Sequence, residues 1–184
     1  TQMRHTKLDM TPGQFRALGH RLVDRIAEQM AHMPQGLVKP DETGEAVRTA
    51  LRAERALPDK GADPEDVLAN AADLLFRHSL FNGHPRFLGY ITSSPAPIGI
   101  LGDLLAAAVN PNCGGWTLAP MASEIEAQTV RWMAEFIGFS GLPGRSGETA
   151  TVGGLLVSGG NMANFVCFLA ARTAKAGWDV RKTG

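Results

Sequence analysis

The sequence predicts an α/β protein with a helical N-terminal segment, residues 1–80, followed by the start of a larger, incomplete α/β domain, residues 81–184. Two observations predict this division. The first eighty residues contain amphipathic helical patterns and no strand pattern. In contrast, residues 153–175 change from a short apolar run to a glycine turn and then to a helical pattern. We therefore expect a strand, a tight glycine turn and a helix in the second part of the chain.

The first helix is predicted to begin at Thr11. Thr11 can cap the helix, Pro12 suits the first helical position, and Gln14 stands where a capping-box partner belongs. Apolar residues then recur at steps of three and four, which predicts one apolar face that needs a partner surface. These residues are Phe15, Leu18, Leu22, Ile26, Met30 and Met33.

Two more helices are predicted within the first eighty residues. Residues 42–55 form a charged helical pattern, and Asp63 followed by Pro64 is a strong helix start. The apolar face of this third helix is predicted to contain Val67, Leu68, Ala71, Leu74 and Leu75. The segment resembles an arm or lid more than an independent core.

Residues 81–99 form a loop rich in glycine, proline, serine and aromatic residues. Such a loop in a compact protein often carries function, because its polar groups can be aimed at a ligand. The candidate functional side chains are His84, Tyr90, Thr92 and Ser93. The alternative is that His84 and Tyr90 only satisfy hydrogen bonds within a structured loop.

Two further helices are predicted, over residues 98–109 and about 121–138, with a loop over 110–116 between them. The residues of the longer helix that are predicted to face inward are Ile125, Thr129, Trp132, Met133 and Phe136. Glu124 and Glu126 are two positions apart and lie on different faces, so they do not form an acid–base pair. We interpret them as solvated or interface charges.

A glycine turn, residues 158–161, lies between an apolar run at 155–157 that suits a buried strand and a helical pattern over 164–175. A helix start offers unpaired N–H groups and the positive end of the peptide dipoles, so it attracts an anion. Adjacent glycines let the backbone approach that anion, and Ser158 and Asn161 can add hydrogen bonds. The hypothesis is a phosphate cradle. The alternative is a tight connection whose glycines only allow a positive φ.

The residues around this turn exclude two other phosphate loops. Neither a Lys-Ser or Lys-Thr pair after a glycine loop nor a G-x-G-x-x-G pattern is present, so a nucleotide is not predicted. The helical pattern that follows is apolar nearly all round, which predicts burial on several sides.

Composition excludes several classes of function. The 184 residues are 44% hydrophobic, and 18 basic residues balance 18 acidic ones, so neither nucleic acid nor an anionic membrane is favoured as a partner. No apolar stretch is long enough to span a membrane, and we expect no secretory signal. The two cysteines, Cys113 and Cys167, have no metal-like spacing and suit a reducing cytoplasm. Cys167 is expected to be a core residue.

Three blocks of the sequence resemble one enzyme family. They are His84-Pro85-Arg86-Phe87, the stretch WTLAPMASEIE at 116–126, and the stretch GGLLVSGGNMANFVCFLAAR at 153–172. In this order and spacing they resemble the pyridoxal-phosphate-dependent group II amino acid decarboxylases, with the aromatic amino acid decarboxylases as the nearest branch. The resemblance extends from about Thr11 to the end of the chain. It implies the fold type I transferase architecture, with a seven-stranded, mostly parallel sheet between helices.

The resemblance also implies partners and site residues. The N-terminal helical segment would pack against the second subunit of a cytoplasmic homodimer. The cofactor phosphate would be held by Gly159, Gly160 and Asn161. The substrate pocket would be lined by Tyr90, Thr92 and Ser93, and by Asn112 and Gly114 from the partner subunit. Because aromatic enzymes usually carry bulky apolar residues in these places, the substrate is left open among the L-amino acids.

The expected reaction is decarboxylation of an L-amino acid to the amine and CO2. In the family, the cofactor-binding lysine, the acid facing the pyridine nitrogen and the stacking histidine follow the cradle, beyond the position of Gly184. Lys175 and Lys182 do not match that lysine motif, and no catalytic residue or metal ligand is predicted in this chain. We therefore expect an N-terminal portion of a decarboxylase. The alternatives are another fold type I reaction, such as an aminotransferase or aldehyde synthase, and a non-catalytic fragment that lacks the lysine.

Overall fold

The computed structural model describes residues 9–139, 153–177 and 179–183. This part of the chain is built of helices and loops and contains no strand. The helices are α1 (Pro12–His32), a short 3-10 turn (Met33–Gln35), α2 (Gly44–Leu51), α3 (Pro64–His78), α4 (Pro97–Val109), α5 (Pro120–Phe136), α6 (Gly160–Ala176) and α7 (Val180–Thr183). The chain divides into two compact units, Thr1–Leu104 and Leu105–Gly184.

Helix α1 begins as the sequence predicts. The N–H of Gln14 donates to Thr11 Oγ1 at 3.2 Å, and the N–H of Thr11 donates to Gln14 Oε1 at 2.9 Å. This reciprocal pair is the predicted capping box. Of the predicted apolar face, only Phe15 is exposed, and the other residues are half-buried. The predicted apolar side of α1 is therefore confirmed as the covered side of the helix, except at Phe15.

Helix α3 packs on α1 through a face that differs from the predicted one. Its Asp63 cap is confirmed, since Asp63 Oδ1 accepts the Glu65 N–H at 2.8 Å. Leu68 and Ala72 border a hollow shared with residues of α1, while Val67 is exposed. The predicted Ala71 and Leu75 are exposed as well. The contact ridge follows steps of four, Leu68, Ala72 and Phe76, because such residues align along one side of a helix.

Arg25 of α1 joins the two helices beside this ridge. Its guanidinium donates to the Ala69 carbonyl at 3.1 Å and forms an ion pair with Asp73. The same group lies 6.0 Å from the centre of the Phe76 ring, within the range of a cation–π contact. A hydrogen bond and an ion pair of Arg25 therefore lie beside the apolar contact between α1 and α3.

Helix α2 is shorter than the predicted 42–55. It begins at the Thr43 cap, whose hydroxyl accepts the Ala46 N–H at 3.2 Å. It ends at Leu51 because Arg52 adopts a left-handed conformation with φ 55°. The Ala53 N–H then donates to the Arg48 carbonyl at 2.9 Å, which closes the helix.

Helix α5 presents a different face from the predicted one. Of the residues predicted to face inward, only Thr129 is half-buried, and the others are exposed: Ile125, Trp132, Met133 and Phe136. The covered side contains Ala122, Glu126, Val130 and Ala134, at steps of four. Gly154 and Leu156 lie against this side of α5, at Val130 and Glu126 respectively.

The predicted buried strand at residues 155–157 is not found in the described part of the chain. Leu155 and Leu156 are 55% and 61% exposed, and the segment has no strand assignment. A strand requires a neighbour for its backbone hydrogen bonds, and no described segment provides one. The mostly parallel sheet therefore remains a prediction.

Helix α6 begins at Gly160, four residues before the predicted start at 164, and ends before Gly177, whose φ is 71°. The predicted burial on several sides is wrong for the described residues, because Phe165, Cys167 and Phe168 are exposed. Covering them requires more apolar surface than the described helices of this unit bring to α6.

Candidate functional site

The glycine turn before α6 has a backbone geometry that depends on Gly159. This residue has φ 83° and ψ 165°, a backbone conformation that residues other than glycine essentially never adopt. Its N–H donates to the Val157 carbonyl at 3.0 Å, so the chain reverses tightly. The next residue, Gly160, is already the first residue of the helix. The turn therefore places the start of α6 directly after the extended segment.

The first amides of α6 are available to an anion. The first helical hydrogen bond runs from the Ala163 N–H to the Gly159 carbonyl at 3.1 Å, so the amides of residues 160–162 precede the hydrogen-bonded ladder. No side chain of the described residues caps the helix, and its first turn contains no acidic residue. These amides and the positive end of the helix dipole point to the same place.

Space around the turn fits a phosphate group. A Cβ built on Gly159 or Gly160 would meet no atom of the described chain within 4 Å. Asn161 is exposed on the first turn of the helix, and its amide can donate to an oxygen of the anion. The structure thus brings together the three residues predicted to hold a phosphate, Gly159, Gly160 and Asn161.

Glu126 supports the segment that leads into this turn. Its Oε1 accepts the Leu156 N–H at 2.7 Å, and its side chain is half-buried. This hydrogen bond is exposed to solvent and joins α5 to another segment, which agrees with the interpretation of Glu126 as a solvated or interface charge. Glu126 lies on the covered side of α5 together with Ala122, Val130 and Ala134. The prediction placed the large apolar residues of α5 inward instead, and these lie on the opposite face. Glu124 is also paired, since it accepts the Trp116 indole N–H at 2.8 Å.

His84 anchors the start of the second candidate region. It is 2% exposed, and its Nδ1 accepts the Arg86 N–H at 3.1 Å. Because Nδ1 accepts, the ring hydrogen belongs on Nε2, which lies 3.3 Å from the Gly36 carbonyl oxygen. The Arg86 guanidinium donates to the same oxygen at 2.7 Å. His84 therefore has one hydrogen-bond partner inside the loop, Arg86, as the alternative expects, and a second one, Gly36, outside it.

The loop beyond His84 presents the predicted substrate residues to solvent. Tyr90 is 89% exposed and has φ 59°, a left-handed conformation that is unusual for a residue other than glycine, asparagine or aspartate. Its ring lies 6.4 Å from the ring of Phe87. Thr92 and Ser93 follow on the same loop and are exposed. These three residues all belong to the first unit.

The predicted residues Asn112 and Gly114 form a small turn in the second unit. Asn112 Oδ1 accepts the Gly114 N–H at 3.0 Å, so this oxygen is used internally. A Cβ at position 114 would lie 3.0 Å from that oxygen, which explains a glycine there. The Asn112 amide N–H groups face outward on an exposed residue and can donate to a ligand. Cys113, between them, is exposed and unpaired with another cysteine.

Two kinds of feature are absent from the described residues. Nowhere in 9–139, 153–177 and 179–183 do three metal-binding side chains gather into a group that could hold an ion. In the same ranges, none of the helices combines the length and the apolar character needed to cross a bilayer.

The described helices and the glycine turn place uncapped backbone amides at a helix start, a geometry that suits an anionic group such as a phosphate. Comparison with known families identifies the class of protein. Residues 47–178 match the family described as the pyridoxal-dependent decarboxylase conserved domain. The chain belongs to this family, and the predicted resemblance is confirmed.

Individual relatives agree with the family match. The chain is 29% identical over 173 residues to an aromatic-L-amino-acid decarboxylase of Bacillus atrophaeus, covering 94% of this chain and 34% of the relative. It is 30% identical over 135 residues to a phenylacetaldehyde synthase of Petunia hybrida, covering 70% of this chain and 25% of the relative. This chain thus spans about a third or less of these curated relatives.

A solved structure supports the fold. The crystal structure of mouse CSAD matches 90% of this chain and 33% of its own length, with a TM-score of 0.72 and 19% identity. The described helices therefore have the arrangement found in a part of that larger fold.

Proposed function

We propose that the protein containing this chain catalyses the pyridoxal-phosphate-dependent decarboxylation of an L-amino acid, giving the amine and CO2. The observation that carries the proposal is the turn at Gly159, which leaves the amides of residues 160–162 free at the start of α6. In a chain of the pyridoxal-dependent decarboxylase family, this turn is suited to the phosphate of the cofactor.

The residues of this chain would hold the cofactor and leave the bond-breaking chemistry to it. When bound, pyridoxal phosphate supplies an electron sink for the pair released as CO2 departs. The amides of 160–162 would donate to the phosphate oxygens, and the Asn161 side chain would add a further donor. Gly159 would keep the turn in this geometry, because its φ of 83° with ψ of 165° is accessible to glycine and strained for other residues. A phosphate fixed in this way positions the ring for the reaction.

Five residues of this sequence would contribute to substrate binding. Tyr90, Thr92 and Ser93 present an aromatic ring and two hydroxyl groups on an exposed loop. Asn112 and Gly114 would reach the pocket from the partner subunit of a cytoplasmic homodimer. Hydroxyl and amide groups suit a polar or modest-sized amino acid side chain as well as an aromatic one.

The proposed domain plan assigns the segment 1–80 to dimerisation and 81–184 to the start of the cofactor domain. Exposed apolar residues on several helices support this plan, because they need further polypeptide to cover them. The exposed segment 155–157 would then join the mostly parallel sheet of that domain.

Aldehyde formation is the second candidate reaction. The Petunia hybrida relative, a phenylacetaldehyde synthase, is 30% identical to this chain, so the same cradle can serve either chemistry. The residues of the described chain do not distinguish between the two reactions.

The test uses the full-length protein. Its intact mass should exceed the 19.6 kDa of this chain, and its absorbance spectrum should contain the band of bound pyridoxal phosphate. Incubation with the twenty L-amino acids, followed by product analysis, should give an amine and CO2 from one or a few of them. An aldehyde as the main product would support the second candidate. A protein that neither binds the cofactor nor forms a product would contradict both reactions.

A further inference from the structure

We infer that Glu126 is a positioning residue for the cofactor-phosphate turn. The inference rests on the proposed function, since it assigns to α5 the task of holding the turn in the geometry that binds phosphate. The hydrogen bond of Glu126 ends at residue 156, three positions before Gly159. Glu126 acts through the backbone of Leu156.

The first step is the contact between Glu126 and the backbone. The 2.7 Å bond from the Leu156 N–H to Glu126 Oε1 joins residues thirty positions apart in the sequence. A carboxylate acceptor makes this hydrogen bond stronger than one between neutral groups. Among the described residues, the Glu126 carboxylate is the acceptor of the Leu156 N–H.

A second contact fixes the same segment on the same face of α5. A Cβ at Gly154 would lie 2.8 Å from Val130 Cγ1, so the backbone at 154 rests directly on the Val130 side chain. Glu126 and Val130 are one helical turn apart, about 6 Å along the axis. Residues 154 and 156 of an extended chain are about 6.6 Å apart. The two spacings match, and both contacts can hold the segment at once.

The third step leads from this segment to the turn. Only Val157 and Ser158 separate Leu156 from Gly159, and the Gly159 N–H donates back to the Val157 carbonyl at 3.0 Å. Fixing the Leu156 amide therefore limits where the reversed chain can place Gly159 and the amides of 160–162. Without Glu126, the Leu156 amide loses its acceptor and the segment is held only through Val130.

The test measures cofactor affinity and backbone exchange in the full-length protein. Glu126→Ala removes the acceptor, Glu126→Gln keeps an oxygen at the same position, and Glu135→Ala is the matched control on an exposed residue of the same helix. We expect Glu126→Ala to raise the dissociation constant for pyridoxal phosphate about five- to tenfold, the effect of losing one such hydrogen bond. Glu126→Gln should stay within about twofold of the parent protein, because an amide oxygen still accepts the bond.

Hydrogen exchange of the cofactor-free protein gives the second measurement. Glu126→Ala should accelerate exchange of the two hydrogen-bonded amides of this segment, Leu156 and Gly159, and leave the amides of α1 unchanged. If Glu126→Gln restores the slow exchange, the effect of Glu126→Ala comes from the lost hydrogen-bond acceptor. If Glu135→Ala also accelerates exchange, the effect comes from general destabilisation of α5.

Three results would overturn the inference while leaving the proposed function intact. They are unchanged cofactor affinity in Glu126→Ala, equal weakening in Glu126→Gln or Glu135→Ala, and unchanged exchange of the amides of Leu156 and Gly159. If the parent protein binds no pyridoxal phosphate, the inference and the proposed function both fail.

Discussion

Replacement of Gly159 by alanine is expected to raise the dissociation constant for pyridoxal phosphate about 30- to 150-fold. At φ 83° and ψ 165°, a residue with a Cβ is strained by about 2–3 kcal/mol. If cofactor binding must restore the native turn, this strain is subtracted from the binding free energy and gives the stated loss of affinity. In the free protein, the alanine variant can relax to a negative φ, and the amides of 160–162 then no longer converge. Equilibrium titration of the cofactor-free, full-length protein with pyridoxal phosphate measures the effect.

Gly177→Ala is the matched control for this substitution. Gly177 ends the same helix and also has a positive φ, 71°, so alanine is strained there as well. It lies at the opposite end of α6 from the free amides. We expect Gly177→Ala to lower stability by about 1 kcal/mol and to leave cofactor affinity unchanged. Equal loss of affinity in both variants would contradict a specific role for the turn.

Replacement of His84 by alanine is expected to open the loop that carries Tyr90. The His84 ring is buried, accepts the Arg86 N–H, and lies within hydrogen-bond distance of the Gly36 carbonyl, 48 positions away in the sequence. Loss of two hydrogen bonds and creation of a cavity should lower the free energy of local opening by about 2–3 kcal/mol. Amide hydrogen exchange of Arg86 and Phe87 in the full-length protein should accelerate by a corresponding 30- to 150-fold.

Two variants control for this prediction. His20→Ala removes an exposed histidine of α1 and should leave the exchange of Arg86 unchanged. His84→Asn keeps an oxygen close to the position of Nδ1 and should restore part of the protection, because it can still accept the Arg86 N–H. If His84→Ala leaves exchange within about twofold of the parent protein, the hydrogen bonds of the ring do not hold the loop.

Local signals in the sequence predicted the helix starts and the turn. Thr11 and Asp63 cap helices where expected, because a cap depends on a few neighbouring residues. The turn at Gly159 and Gly160 was predicted for the same reason, since two adjacent glycines between an apolar run and a helix specify a tight reversal. The predicted start of α6 at residue 164 is four residues late, because the prediction assigns Gly160 and Asn161 to the loop and the helix already begins at Gly160.

Burial was predicted less well, since it depends on what surrounds each helix. On α5 the large apolar residues, including Trp132 and Phe136, are exposed, and the covered ridge consists of smaller residues with Glu126 among them. The phosphate residues are brought together because they are consecutive. The proposed substrate residues lie in two separate units, and no local pattern relates such positions. The contact of Glu126 with Leu156 was missed for the same reason, as thirty residues separate them.

The close approach of Gly154 to Val130 also limits how the sequence can diverge. A Cβ at 154 would meet Val130 Cγ1 at 2.8 Å, too close for any real pair of carbon atoms. A side chain at position 154 therefore requires the Val130 methyl group to move or to be absent. Among homologous proteins, the two positions should change as a pair.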